Sequence, residues 1–148
     1  MESRNRKIAV VTGGSRGLGR NTALHLARRG VDVILTYRSQ RTEAEQVVAE
    51  IAALGGSAVA LQLDVAESGT FDNFVETLKG VLSEHWQRKT FDSLVNNAGI
   101  GIHAAFADTT EEQFDELVRI QLKGPFFLTQ KLLPLIADNG RIVNVSSG

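Results

Sequence analysis

Residues 12–19 read Thr-Gly-Gly-Ser-Arg-Gly-Leu-Gly and have the residue types of a phosphate-binding turn. Glycines at this density allow a tight turn and let a pyrophosphate approach the main chain closely. The segment follows a β-branched run and opens a helical pattern, and a helix N-terminus offers unpaired N–H groups to an anion. It therefore predicts a dinucleotide phosphate site, with a plain strand-to-helix turn as the alternative. The expected contacts come from Gly13, Ser15, Arg16, Gly17, Leu18 and Gly19.

Two arginines indicate which dinucleotide would bind. An acid at the end of the second strand favours NAD by bonding the ribose 2′-hydroxyl, and residues 36–39 contain none. Arg38 stands where a 2′-phosphate would lie, and Arg16 belongs to the phosphate turn. Because arginine matches phosphate geometry, the sequence predicts NADP over NAD by roughly ten- to a hundredfold. The alternative is that both side chains are solvated surface charges.

Every other polar or glycine-rich cluster falls at the end of a predicted strand. These clusters are Asp64-Val65, residues 96–99 (Asn-Asn-Ala-Gly) and Ser146-Ser147. In open α/β sheets, ligands bind at the carboxyl ends of the strands, so the clusters are expected to lie around one cleft.

Individual roles follow from side-chain chemistry. Asp64 can accept a hydrogen bond from an adenine amino group or, alternatively, cap the following helix. Asn96 or Asn97 can tie neighbouring strands together, while the small Ala98 and Gly99 leave room for a ribose. The alternative for this segment is a plain turn.

The elements that position these residues are read from hydrophobic periodicity. Short apolar runs predict five strands at 8–11, 31–35, 58–63, 93–95 and 142–145. Helical spacing between them predicts helices at 44–54, ended by Gly55-Gly56, and at 71–82. Thr109 and Glu112 form a capping-box pattern for a further helix, which Pro125 should kink or restart. Alternating strands and helices predict a doubly wound parallel sheet with strand order 3-2-1-4-5.

Composition narrows the function classes. The 148 residues suit a single domain, with a net charge of −1, no cysteine and three separated histidines. We therefore expect no metal site, no nucleic-acid partner and no membrane association, with the cytoplasm as the default location.

Together these motifs resemble the short-chain dehydrogenase/reductase family, and especially its 3-oxoacyl-carrier-protein reductases. The resemblance covers essentially the whole chain and rests on residues 12–19, 96–99 and 140–147. It implies hydride transfer between a nicotinamide and a small carbonyl or alcohol substrate. It also implies that Ser147 is the catalytic serine and that Gln121 occupies the position of an asparagine in a proton relay.

The chain departs from the family pattern in two ways. The family's Tyr-x-x-x-Lys should follow Ser147, but the sequence ends at Gly148, and its one tyrosine is Tyr37. Residues 1–148 are thus interpreted as a dinucleotide-binding domain truncated before that segment and inactive alone. A non-catalytic NAD(P)-binding module is the alternative, and a methyltransferase is disfavoured because residues 36–39 lack an acid. The second departure is the extra methylene of Gln121.

Apolar patterning around Gln121 carries two further expectations. The stripe Phe114, Leu117, Val118, Gln121 and Leu128 predicts that the Gln121 amide faces inward. Additional apolar residues lie outside that stripe, namely Phe126, Phe127, Leu132, Leu133 and Ile136. They predict a subunit interface in a homo-dimer or tetramer, as the analogous helix forms in the family, and strand 142–145 is expected to leave an apolar sheet edge.

Overall fold

The computed structural model describes residues 6–146 as a five-stranded parallel sheet flanked by helices. The strands are β1 (Ile8–Val11), β2 (Asp32–Tyr37), β3 (Ala58–Gln62), β4 (Phe91–Asn96) and β5 (Ile136–Asn144). The α-helices are α1 (Gly17–Arg28), α2 (Arg41–Ala53), α3 (Phe71–Trp86), α4 (Glu111–Val118) and α5 (Gly124–Leu132). The strand order is β3-β2-β1-β4-β5, which confirms the predicted doubly wound topology and its reversal between β1 and β4.

Side-chain alternation along the strands builds one core layer on each face of the sheet. In β1, Ile8 and Val10 pack with α3 and α5, whereas Val11 packs with α1 and α2. All four residues of β1 are fully buried, as expected for a central parallel strand. The two layers fix the sheet, and its strand ends place the residues that follow them.

β4 and β5 are longer than their apolar runs predicted. β4 begins at Phe91, and its second residue, Asp92, interrupts the apolar run although it is buried. β5 begins at Ile136 and contains the turn-like residues 138–140, which lie in an irregularity between the pairs Phe91–Ile136 and Ser93–Arg141. Pairing to β4 on either side of this irregularity keeps those residues within the strand despite their local turn propensity. β5 lies at the sheet edge, and the exposed Ile142 and Val143 give that edge the predicted apolar character.

Helix ends follow local hydrogen bonding. α2 ends before Gly55, whose φ of 84° confirms the predicted glycine stop. The predicted capping box of Thr109 with Glu112 is wrong by one residue, because the Thr109 hydroxyl donates to Ala105 O over 3.0 Å. Instead, Thr110 Oγ1 accepts from Gln113 N at 3.1 Å, and Gln113 Oε1 accepts from Thr110 N at 3.0 Å.

A π-helical turn at Arg119–Lys123 separates α4 from α5. Pro125 lies in the first turn of α5 and begins a new segment there, as predicted. The wider turn breaks the 3.6-residue periodicity, so Ile120 and Leu128 are buried while Phe114 and Gln121 are exposed. The prediction of an inward-facing stripe is therefore right for Leu128 and wrong for Phe114 and Gln121.

α5 leaves a row of apolar side chains uncovered within the described residues. Phe126 and Leu133 are 61% and 57% exposed, whereas Leu132 is buried in the core. The helix ends at Leu132, and Ile136 belongs to β5 rather than to the helix. The predicted subunit interface on this face stays a prediction.

Two buried aspartates organise the amino end of the sheet, opposite the carboxyl ends of the strands. Asp32 accepts hydrogen bonds from Trp86 Nε1 at 2.9 Å, Ser57 N at 3.0 Å and Arg6 Nε at 3.0 Å. Asp92 accepts from Ile8 N at 2.8 Å and from Arg88 at 2.7 Å.

Burial pushes the pKa of Asp92 upward. The hydrogen bonds from Arg88 and Ile8 N, with the charges of Arg88 and Lys7, outweigh burial and hold that pKa below its ordinary value. Asp92 is therefore an ionised carboxylate that joins the start of β4 to the start of β1.

Candidate functional site

A cleft of about 410 Å³ opens at the carboxyl ends of the parallel strands. The turn after β1 forms one side, and the ends of β2, β3 and β4 form the others. Its lining residues are Gly13, Ser15, Arg16, Leu18, Arg38, Ser39, Gln40, Leu63, Asp64, Val65, Asn97, Ala98, Gly99, Ile100 and Ile120. The glycine turn, Asp64-Val65 and residues 97–99 thus meet in one cavity of a size typical of ligand sites, whereas Asn96 and Ser146 line a different cavity.

Two glycines let the turn after β1 close tightly. Gly13 has a φ of 65°, and a Cβ there would lie 2.9 Å from Ala98 Cα. A Cβ on Gly19 would overlap Gly13 O and the Asn97 side-chain nitrogen. The backbone is therefore close-packed beneath the cleft, which leaves room above it for a bulky anion.

Three polar side chains fix this turn to the sheet. Thr12 Oγ1 accepts from Asn97 N and Ala98 N, both at 3.0 Å, and donates to Val95 O at 3.4 Å. Asn97 Nδ2 donates back to Thr12 O and Gly13 O at 3.1 Å. On the other side, Thr36 Oγ1 accepts from Gly13 N at 3.1 Å. The two walls of the cleft are thus one hydrogen-bonded unit.

The N-terminus of α1 faces this turn and favours an anion. The helix begins at Gly17 with Arg16 at its N-cap, and no described side chain caps it. Its first turn contains no acid. The positive end of the helix dipole and the first backbone N–H groups are therefore matched to a phosphate, with the Arg16 side chain on the cleft wall.

Arg38 and Asp64 face each other at the far end of the cleft. Arg38 Nε lies 3.3 Å from Asp64 Oδ2, while Asp64 Oδ1 accepts from Ala66 N at 2.9 Å. The following 3₁₀ turn has Glu67 at its N-cap with no side-chain cap bond, so Asp64 does not cap a helix as its alternative reading held. A positive and a negative side chain thus share the position expected for an adenosine ribose.

The opposite end of the cleft is formed by the loop after β4. Gln121 Nε2 donates to Ile100 O at 2.7 Å, and its Oε1 lies beside Gly99, where a Cβ would come within 2.6 Å. Gln121 therefore stabilises this loop from the π-helical turn and leaves Oε1 available as an acceptor.

A second cavity of about 560 Å³ adjoins the first and shares Ala98 with it. Its walls are mostly apolar, with Phe126, Leu133 and Ile142 around polar groups of Gln121 and Ser146. The candidate serine, Ser147, lies outside the described residues.

The predicted site residues occupy different positions relative to the two cavities. Nine of them line the cleft, whereas the buried Gly19 packs beneath it, the exposed Gly17 begins α1 outside its lining, and Asn96 lines the second cavity. Asn96 Nδ2 donates to Thr129 Oγ1 at 3.0 Å and Asn144 Oδ1 at 2.9 Å, so it ties β4 to α5 and β5. Asn97 lines the cleft in its place. Strand alternation, which sends neighbouring side chains to opposite faces, could have separated the two only with the strand end known.

Other cleft residues carried no motif signal. They are Ser39, Gln40, Leu63, Ile100 and Ile120. Ile120 enters because the π-helical turn rotates it inward, which a regular helical periodicity does not show.

None of the helices in the described range has the length and apolar composition to cross a membrane. Within residues 6–146, no three His, Asp or Glu side chains gather as a metal site.

Comparison with known proteins agrees with this geometry. The family model for short chain dehydrogenase matches residues 7–148. The chain belongs to the short-chain dehydrogenase family. A 3-oxoacyl-[acyl-carrier-protein] reductase from Synechocystis is 38% identical over 143 residues, covering 95% of this chain and 56% of the relative. A tetrahydroxynaphthalene reductase from Pestalotiopsis fici is 33% identical over 141 residues, covering 95% and 49%.

Solved structures of this short-chain dehydrogenase family share the fold. The angucycline C-6 ketoreductase LanV with bound NADP superposes with a TM-score of 0.92 and 38% identity, covering 96% of this chain and 55% of that one. A short chain dehydrogenase from Burkholderia cenocepacia in complex with NADP gives a TM-score of 0.85 with 35% identity, covering 95% and 55%. The chain therefore spans about half the length of the relatives it matches.

Proposed function

We propose that this chain is the NADP-binding part of an oxidoreductase that moves a hydride between the nicotinamide and a carbonyl or alcohol substrate. The observation that carries the proposal is the cleft itself. It combines a close-packed glycine turn at an uncapped helix N-terminus with two arginines, and β2 ends without an acid. Family membership and the NADP named with LanV support the redox assignment.

The residues present fit a dinucleotide phosphate. The turn around Gly13 and the N-terminus of α1 would hold the pyrophosphate, since a Cβ at Gly13 would meet Ala98 and the helix N-terminus has no side-chain cap among the described residues. Arg16 and Arg38 would hold the 2′-phosphate, and Asp64 with Val65 would flank the adenine. Ala98 and Gly99 would line the nicotinamide ribose.

Bound NADP would supply the hydride donor or acceptor, and this chain's residues would orient it. In this proposal Ser147 donates a hydrogen bond that polarises the substrate carbonyl, as the family resemblance implies. Gln121 offers Oε1 to the proton relay while its Nε2 holds Ile100 O. The small-molecule substrate would enter from the second cavity, where Ala98 separates it from the cofactor cleft.

Binding and turnover should separate in this chain. General acid–base groups contribute about 10²–10⁴-fold each. Tyr37, the one tyrosine in the sequence, ends β2 beside the ribose position and cannot serve the nicotinamide end. We therefore expect these 148 residues to bind NADP without reducing ketones alone. We also propose that the protein is located in the cytoplasm and that it forms homo-oligomers through α5.

The test is a calorimetric titration of the chain with NADPH and NADH. We expect NADPH to bind about ten- to a hundredfold more tightly. Arg38→Ala should remove most of that preference, because the 2′-phosphate loses its guanidinium partner. Arg41→Ala is the matched control, since Arg41 is exposed nearby but does not line the cleft. Absence of binding by either nucleotide would refute the proposed function, and an unchanged ratio in Arg38→Ala would refute the NADP assignment.

A further inference from the structure

Arg38 is held at two points before any ligand is considered. Its backbone carbonyl accepts a hydrogen bond from Gln62 Nε2 at 3.1 Å, which fixes the main chain at the end of β2. Its side-chain Nε lies 3.3 Å from Asp64 Oδ2. Gln62 and Asp64, at the end of β3, therefore restrain both the backbone and the guanidinium of Arg38.

Asp64 is the rigid partner of the pair. Its Oδ1 accepts from Ala66 N at 2.9 Å and its backbone carbonyl accepts from Glu67 N at 3.0 Å, so the carboxylate is fixed within its own turn. The side chains of Arg38 and Asp64 are 65% and 29% exposed. A long, exposed arginine has many rotamers, and a fixed carboxylate at Nε selects among them.

The pair has little to contribute to stability. Exposed ion pairs are worth only about 0–1 kcal/mol because solvent screens them, so folding does not explain the arrangement. Its geometric effect is larger. A guanidinium has five N–H donors in a fixed fork, and Asp64 lies against Nε, which leaves the two Nη groups without a partner among the described residues.

We propose that Asp64 is a positioning residue for cofactor selection, holding Arg38 so that its two Nη groups face the 2′-phosphate. This inference rests on the proposed function and deepens it. It differs from contact between Asp64 and adenine, because an adenine contact strengthens phosphorylated and unphosphorylated nucleotides equally. It also differs from simple charge, because a carboxylate near a phosphate repels it.

The test compares two probes that differ only in the 2′-phosphate: adenosine 2′,5′-bisphosphate and adenosine 5′-monophosphate. Their dissociation constants are measured by competition against NADPH in the wild-type chain and in Asp64→Asn, which keeps the shape of the side chain. We expect the preference for the bisphosphate to fall about three- to tenfold, within the range of coupling between contacting residues. In an Arg38→Ala background, Asp64→Asn should leave the ratio unchanged.

Two further variants separate orientation from charge and guard against misfolding. Glu67→Gln removes a negative charge from the same turn at an exposed side chain outside the cleft, and the ratio should stay at the wild-type value. Arg38→Lys leaves Asp64 intact and retains the positive charge but removes the fork. It should lose most of the preference even if Asp64→Asn does not fold.

Several results would overturn the inference while leaving the proposed function in place. Equal weakening of both probes in Asp64→Asn would assign the residue to adenine alone, and a raised ratio would show that repulsion dominates. A Glu67→Gln variant that matches Asp64→Asn, or an Arg38→Lys variant with the full preference, would reduce the effect to charge. If the wild-type chain binds neither probe nor NADPH, the proposed function fails, and this inference with it.

Discussion

Replacing Thr12 by valine should destabilise the fold through the cofactor turn. Valine keeps the shape of the buried threonine but removes Oγ1, which accepts from Asn97 N and Ala98 N. Both N–H groups then lack their acceptor. Thr36→Val removes the acceptor of one N–H only, that of Gly13. The two substitutions therefore form a graded pair.

The magnitude follows from counting these donors. An unsatisfied buried donor costs about 1–3 kcal/mol, and Asn97 and Ala98 are only partly buried, so water recovers some of that energy. We expect Thr12→Val to lower the free energy of unfolding by about 2–4 kcal/mol and Thr36→Val by about half as much. For a domain of this size, the loss of stability expected for Thr12→Val corresponds to a fall in Tm of about 5–15 °C.

The assay is equilibrium unfolding in urea, followed by far-ultraviolet circular dichroism and by fluorescence of Trp86. That residue is the one tryptophan in the sequence and is buried against Asp32. Thr42→Val, at an exposed position on α2, is the matched control and should change stability by only a few tenths of a kcal/mol.

A Thr12→Val variant as stable as Thr42→Val would show that Oγ1 of Thr12 does not stabilise the turn. If Thr36→Val cost more than Thr12→Val, the loss of stability would not follow the number of donors left without an acceptor. Calorimetry with NADPH on the same variants should show weaker binding wherever the turn has loosened.

Three other predictions concern different parts of the molecule. Because Asp92 has a pKa below its ordinary value in the folded state, it stabilises the fold above about pH 4, and that contribution should be lost as pH falls through the folded pKa. Asp92→Asn should therefore be less stable at neutral pH, with a shallower acid loss in urea titrations at several pH values; an unchanged acid slope would contradict this. Gly19→Ala should weaken NADPH binding at least tenfold in calorimetry and cost about 1–3 kcal/mol in urea unfolding, since its Cβ overlaps Gly13 O. Phe126→Asp, on the exposed row of α5, should lower the mass seen in sedimentation if that row joins subunits, whereas Asp115→Asn on exposed α4 should not; equal masses would contradict the interface.

The sheet order could be predicted because each strand contains a short apolar run, although only β1, β2 and β4 are mostly buried, while β3 is half-buried and β5 is largely exposed. The cleft could be predicted because glycines and polar residues stand directly after those runs. Boundaries depend on longer-range pairing. Residues 137–140 look like a turn, yet they lie inside β5, where they form an irregularity between the pairs Phe91–Ile136 and Ser93–Arg141.

The remaining differences come from competition between local groups. Thr110 rather than Thr109 caps α4, because the Thr109 hydroxyl already donates a hydrogen bond to Ala105 O. Gln121 is exposed because the π-helical turn changes the helical repeat at that point, and the spacing of apolar residues does not reveal such a turn. The ion pair between Arg38 and Asp64 joins residues that follow β2 and β3, and only the pairing of these two strands brings them together.

The hydroxyl of Thr12 has a kinetic consequence. Since it bonds the loop after β4 to the loop after β1, opening the gap between them would break several hydrogen bonds at once. The entropy cost of ordering both loops is therefore incurred during folding rather than when a nucleotide binds. Stopped-flow mixing should then record one association phase whose rate rises linearly with nucleotide concentration, without the plateau that a slow loop rearrangement would impose.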